Sequence, residues 1–153
     1  AETAEKYGEE QVREWRRSYD ILPPALNQND ARSAVAQSMY RDVNPDELPS
    51  SESLETTVAR VVPYFNKVIK KDMMAGKRVI IAAHGNSLRA LVKYFDKLSE
   101  EDIVNVNIPT GVPLVYEFDA QGNPLHHRYL GDPRLLMQKM EAVANQGKKA
   151  IGV

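Results

Sequence analysis

Cysteine is absent from this 153-residue chain, which removes disulfides, thiolate nucleophiles and the usual structural zinc sites together. An excess of either charge is missing as well. Lys and Arg number 20 against 21 Asp and Glu, a formal net charge of −1, whereas nucleic-acid surfaces ordinarily show a basic excess or a clustered basic face. Any positive site must therefore be local. No apolar run approaches the roughly 20 residues that cross a bilayer, and the acidic, lysine-containing start has no signal-peptide core. These absences lead to the expectation of a reducing cytoplasm, with neither nucleic acid nor membrane as a partner. A methionine is missing from the first position, where Ala1 opens directly into helix-forming sequence. The chain is accordingly expected to be a piece of a longer protein.

The rest of the composition, 42% hydrophobic and 27% charged, is ordinary for a soluble globular protein, and the length allows one domain with a real core. The most informative stretch is Val79-Ile80-Ile81-Ala82-Ala83 followed by His84-Gly85-Asn86-Ser87-Leu88-Arg89-Ala90-Leu91. The apolar, β-branched run predicts a strand buried on both faces, as inside a parallel sheet. Leu88, Leu91, Val92 and Phe95 then recur at helical spacing. Gly85 permits a tight turn and a close approach of ligand to backbone. In open α/β sheets ligands bind beyond the carboxyl ends of strands, where the first N–H groups of the next helix point. His84 stands at that place, with an imidazole that can donate to, or sit charged beside, a phosphoryl oxygen. The plainer reading is a strand-end residue capping a carbonyl.

Elsewhere the organisation is mostly helical. Residues 3–17 read as a charged helix with Val12 and Trp15 on one face and a break at Gly8. Residues 21–50 form a long surface excursion holding four of the nine prolines, with a short helical turn around Ala34 to Tyr40. Ser51 is expected to cap a helix marked by Leu54, Val58, Val61, Val62, Phe65, Val68 and Ile69, kinked at Pro63 and ended by Gly76. Ser99 and Asp102 suggest a capping box opening a short helix. Leu114 to Phe118 and Leu125 to Tyr129 read as a hairpin, and Asp132 before Pro133 as the start of a last helix through about Asn145. Residues 147–153 read as a flexible tail. The two clear strands pair with each other, so the strand at Val79 lacks the neighbours it needs.

Arg16 and Arg17 follow Trp15 near the end of the first helical stretch. Adjacent helical residues diverge by about 100°, so both reach one ligand only if the helix ends there. Guanidinium forks match phosphate or carboxylate oxygens, while a solvated basic helix end is the competing reading. His126 and His127 alternate in a strand and cannot serve one site. Glu100, Glu101 and Asp102 suit a helix start. Lys148 and Lys149 could fold over an anion, although terminal residues are commonly disordered.

Trp15-Arg16-Arg17-Ser18-Tyr19-Asp20, Ala82 to Leu91 and Ile108-Pro109-Thr110-Gly111-Val112-Pro113-Leu114-Val115-Tyr116 resemble the 2,3-bisphosphoglycerate-dependent phosphoglycerate mutases of the histidine phosphatase superfamily. The segment Val143-Ala144-Asn145-Gln146-Gly147-Lys148 resembles theirs too. The resemblance implies interconversion of 2-phosphoglycerate and 3-phosphoglycerate, as in glycolysis and gluconeogenesis, through a phosphohistidine and a 2,3-bisphosphoglycerate intermediate that also serves as primer. It implies that His84 stabilises the transferring phosphoryl group, that Arg16 and Arg17 clamp substrate carboxylate or phosphate, and that Gly85 and Asn86 contact phosphate. Within the family the tail is associated with covering the site. Phosphoglycerates are the implied small-molecule partners, a homo-oligomer the implied assembly when intact, and no metal is required, since arginine and histidine supply the positive charge.

The family's nucleophilic histidine lies in an Arg-His-Gly signature that this sequence lacks; His84-Gly85 is preceded by Ala83. Its acid/base glutamate and a substrate lysine would fall ahead of Ala1. The resemblance therefore implies the carboxyl-terminal part, residues 1–153, of one mutase domain. The expected fold is α/β, a three-layer α/β/α arrangement with a mostly parallel sheet left incomplete because amino-terminal strands are absent. The isolated chain is expected to be inactive, because nucleophilic catalysis needs its nucleophile beside the stabilising groups. Two other readings stand beside it: a phosphatase of the same superfamily, and a non-catalytic fragment acting by assembly through unpaired strand edges.

Overall fold

The computed structural model describes residues 2–145; the tail at 147–153, with Lys148 and Lys149, lies outside them. Helices α1 (Glu2–Tyr7) and α2 (Glu9–Arg17) are separated at Gly8, whose φ of +85° only glycine adopts without strain. The Tyr7 and Trp15 rings meet edge to face across that break, centroids 5.1 Å apart. Between α2 and the next long helix the chain runs through 3₁₀ turns at Ala34–Ala36, Ser38–Tyr40 and Pro45–Glu47. It closes on itself where Leu26 N–H donates to the Ser50 carbonyl at 3.0 Å.

Helix α3 (Leu54–Tyr64) opens on a capping box, with Ser53 Oγ accepting from Thr56 N–H and Thr56 Oγ1 accepting from Ser53 N–H. The expected cap, Ser51, is two residues early: its hydroxyl donates to the Pro23 carbonyl at 2.6 Å and ties down the excursion instead. Pro63 does not end the helix. The chain passes through a π turn at Phe65–Ile69 into α4 (Lys70–Met74), and the Asn66 amide donates to the Val62 carbonyl at 3.1 Å, within the turns that proline disturbs.

Helix α5 (Gly85–Asp96) packs on α3, burying Arg89, Ala90, Leu91, Val92 and Phe95. Two apolar clusters result. Leu54, Ala90 and Ile103 gather Tyr19, Val58, Val61, Leu98 and Val106; Phe65, Leu91 and Phe95 gather Ile69, Met73, Ile81, Tyr116 and Phe118. Short helix α6 (Glu100–Ile103) is capped by Ser99 Oγ, which accepts from Asp102 N–H at 3.0 Å.

Strands β1 (Leu114–Phe118) and β2 (Pro124–Tyr129) form an antiparallel pair, with Tyr116 opposite His127 and an irregularity between Glu117 and Phe118. Asp119 Oδ1 accepts from Gln121 and Asn123 N–H and closes the turn. Helix α7 (Pro133–Ala144) starts where Asp132 accepts from Arg134 N–H at 2.7 Å.

The described residues thus make a partial α/β fold of helices with a two-stranded antiparallel sheet. The buried strand expected at Val79–Ala83 is not formed. The segment enters the His84 turn with no ladder partner, and Ile80 is 93% exposed. The physical reason is pairing: such a strand needs neighbours on both edges, and β1 and β2 are occupied with each other. Only Ile81 reaches the core, against the Phe65 cluster.

Candidate active site

The amino end of α5 carries three of the five candidate residues. His84 is the N-cap, in extended backbone, and its Nδ1 accepts the Asn86 N–H at 3.3 Å. An imidazole nitrogen that accepts carries no proton, so in the neutral ring the proton sits on Nε2. Histidine thus does the capping work more often given to Ser or Asp, and keeps a donor in hand. His84, Gly85 and Asn86 are all exposed, at the end where the helix dipole and the first N–H groups favour an anion.

Asn86 is held from below. Arg89, one turn on and only 6% exposed, donates through Nη1 to Asn86 Oδ1 at 3.3 Å and through Nη2 to the Ile103 carbonyl at 2.8 Å. That carbonyl closes α6, where the helix end is negative. Burial, and then the Arg17 charge, pull the Arg89 pKa down to about 10. Arg89 Nε and Ser18 Oγ are buried without a hydrogen-bond partner among the described residues.

Arg17 lies at the end of α2, half-buried. Its Nη1 donates to Asn107 Oδ1 at 2.6 Å and its Nη2 to the Val143 and Ala144 carbonyls at 3.2 and 3.4 Å. Burial first, then Arg16 and Arg13, lower its pKa. Arg16 is exposed on the neighbouring helical position. Arg17 is thereby brought within electrostatic reach of Arg89, and through Arg89 of Asn86 and the α5 turn. The result is a local positive region in a chain whose net charge is −1.

Reading the sequence left Arg89 and Asn107 without a task. Arg89 had a signal available: three residues before Val92, it lies on the buried stripe of α5, where a charge is costly unless it is used. The adjacent histidines separate as strand alternation requires. His126 Nε2 faces Glu117 at 3.4 Å, and His127 Nδ1 faces Asp96 at 3.3 Å beside the Tyr116 ring. No helix among the described residues is long and apolar enough to cross a membrane.

Comparison with known proteins follows the same residues. A Treponema denticola protein named 2,3-bisphosphoglycerate-dependent phosphoglycerate mutase is 61% identical over 149 residues, which cover 97% of this chain and 60% of that protein. A Lachnoclostridium phytofermentans protein of the same name is 60% identical over 151 residues, covering 99% and 61%. One from Borreliella burgdorferi is 56% identical over 148 residues, covering 97% and 60%. The chain therefore spans about three fifths of the length of the curated relatives it matches. Residues 24–129, which include β1, β2 and the whole α5 turn, match the histidine phosphatase superfamily (branch 1), and the chain belongs to that superfamily.

Proposed function

We propose that this chain is part of a cytoplasmic 2,3-bisphosphoglycerate-dependent phosphoglycerate mutase, and that the α5 turn supports the phosphoryl group passing between 2-phosphoglycerate and 3-phosphoglycerate. The observation that carries this reading is the His84–Asn86 cap. It leaves Nε2–H of His84 as a donor beside the N–H groups of a helix start, the arrangement that stabilises charge on a phosphoryl oxygen. The names of the relatives support the substrate class.

In this reading His84 stabilises the transferring group, Gly85 and Asn86 contact phosphate, and Arg16 and Arg17 meet the substrate carboxylate or phosphate. Those residues would also hold 2,3-bisphosphoglycerate, with no metal required. The donor set fits such a ligand: an imidazole N–H and a helix amino end, backed by the Arg17 and Arg89 guanidinium groups, neither of which pairs with a carboxylate among the described residues. The chain's histidines are His84, His126 and His127, and the latter two are engaged with carboxylates of the hairpin and α5. The isolated chain is therefore expected to turn nothing over.

The test is a mutase assay on the chain alone and after adding a polypeptide carrying the remainder of the Treponema denticola relative. Turnover only in the mixture, abolished by His84→Asn, is the expected result. Turnover by the chain alone would refute it.

A second reading, in which the chain acts only by assembly onto another chain, is favoured by residues 77–84, which pair with no strand among the described residues and leave Ile80 in solvent. An unpaired apolar segment offers its N–H and C=O groups to another chain. Light scattering separates the two: association without turnover in the mixture would favour assembly.

A further inference from the structure

We infer that Arg89 is a positioning residue: its buried guanidinium fixes the amide of Asn86 so that the NH₂ edge, not the oxygen, is offered to an anion at the α5 turn. The inference rests on the reading of that turn as a phosphate site.

A guanidinium removed from water is expensive unless its donors are used, and Arg89 is 6% exposed. Among the described residues no acidic side chain pairs with it. Instead it spends Nη2 on the Ile103 carbonyl at 2.8 Å, a contact that anchors the head group, and Nη1 on Asn86 Oδ1 at 3.3 Å. An asparagine amide has one acceptor and one donor end, and arginine can only donate. The oxygen of Asn86 therefore faces Arg89, and its NH₂ faces the opposite way. Without Arg89 the amide could rotate and present its oxygen, which repels phosphate. The pairing spans one helical turn, so α5 itself sets the separation.

The alternative is a structural strut joining α5 to α6. A strut needs only the Ile103 contact; the second donor, on a residue of the exposed turn, is what a strut leaves unexplained.

The test uses the ¹⁵N-labelled chain. The first measurement needs no ligand: the heteronuclear NOE of the Asn86 side-chain amide, in the parent chain and in Arg89→Lys. Lysine keeps the charge but has no fork to hold both partners. The Asn86 amide is expected to be rigid in the parent and to gain motion in the variant. Should Arg89→Lys lose its dispersed spectrum, Arg89→Met, an apolar fit to a buried position, is read in its place.

The second measurement titrates inorganic phosphate and follows Gly85 and Asn86. Arg89→Lys is expected to weaken binding about tenfold, what one hydrogen bond to an anion is worth. In an Asn86→Ala background the same change is expected to cost nothing further, because Arg89 acts through Asn86. An Asn86 amide equally rigid without Arg89 overturns the inference, whatever phosphate does. So does an equal loss in the Asn86→Ala background, which would mean that Arg89 acts on the anion directly. An amide that depends on Arg89 in a chain where phosphate moves neither Gly85 nor Asn86 upholds the hold of Arg89 and overturns the phosphate reading.

Discussion

Arg17 Nη1 and Asn107 Oδ1 lie 2.6 Å apart, and this contact joins the end of α2 to the loop that follows α6. The same guanidinium reaches the Val143 and Ala144 carbonyls, where α7 ends and its dipole is negative. One side chain thus bridges three segments distant in sequence.

Arg17→Ala is expected to lower unfolding stability by about 1–2 kcal/mol, since a hydrogen bond to a charged group contributes about that much and the site is only half-buried. Arg16→Ala, at an exposed position, is expected to stay within about 0.5 kcal/mol. Chemical denaturation of both variants measures the difference.

Tyr116 Oη donates to Asp96 Oδ2 at 3.1 Å. Burial, and then the Asp96 charge, hold its hydroxyl well above the ordinary tyrosine value of 10.0. The folded chain keeps that proton at a pH where the unfolded chain loses it. The stabilisation is therefore complete below pH 10.0 and is lost as pH rises beyond it. Arg89, with its lowered pKa, works in the opposite sense in the same range. The comparison of variants isolates the tyrosine: alkaline loss of stability is expected to be shallower in Tyr116→Phe, as read by denaturation at a series of pH values.

His84→Asn keeps an N-cap of comparable strength and removes the imidazole. Stability is expected to change by less than about 0.5 kcal/mol while phosphate binding at Gly85 and Asn86 weakens at least several-fold. A thermal melt beside a phosphate titration checks both halves.

What was legible in the sequence was local. The break at Gly8, the Ser99 and Asp132 caps, the hairpin between Phe118 and Leu125, and the His84-Gly85 turn depend on neighbours within a few residues. The strand at Val79–Ala83 depends on pairing with segments far away, so an apolar β-branched run alone could not make it. The shift of the α3 cap from Ser51 to Ser53 has the same origin: both serines suit a cap, and Thr56 together with the Pro23 carbonyl decides between them. Of the candidate site, His84, Gly85 and Asn86 were readable as the start of a helix. Arg17 was readable as a basic residue at the end of α2 but not as a neighbour of Arg89, a relationship that exists only once α2, α5 and α6 are assembled.

Ile80, 93% exposed in a segment with no ladder partner among the described residues, is expected to drive concentration-dependent association of the isolated chain. Ile80→Lys is expected to reduce it, since lysine on an edge opposes strand addition. Light scattering over a dilution series gives the result.

Whether the α5 turn takes phosphoglycerate without turning it over is read by titrating the ¹⁵N-labelled chain with 3-phosphoglycerate while phosphorus resonances are followed in the same tube. Shifts centred on Gly85 and Asn86 are expected, with a phosphorus spectrum that remains that of 3-phosphoglycerate. Shifts confined to the hairpin, no shift at the α5 turn, or the appearance of 2-phosphoglycerate would contradict that expectation.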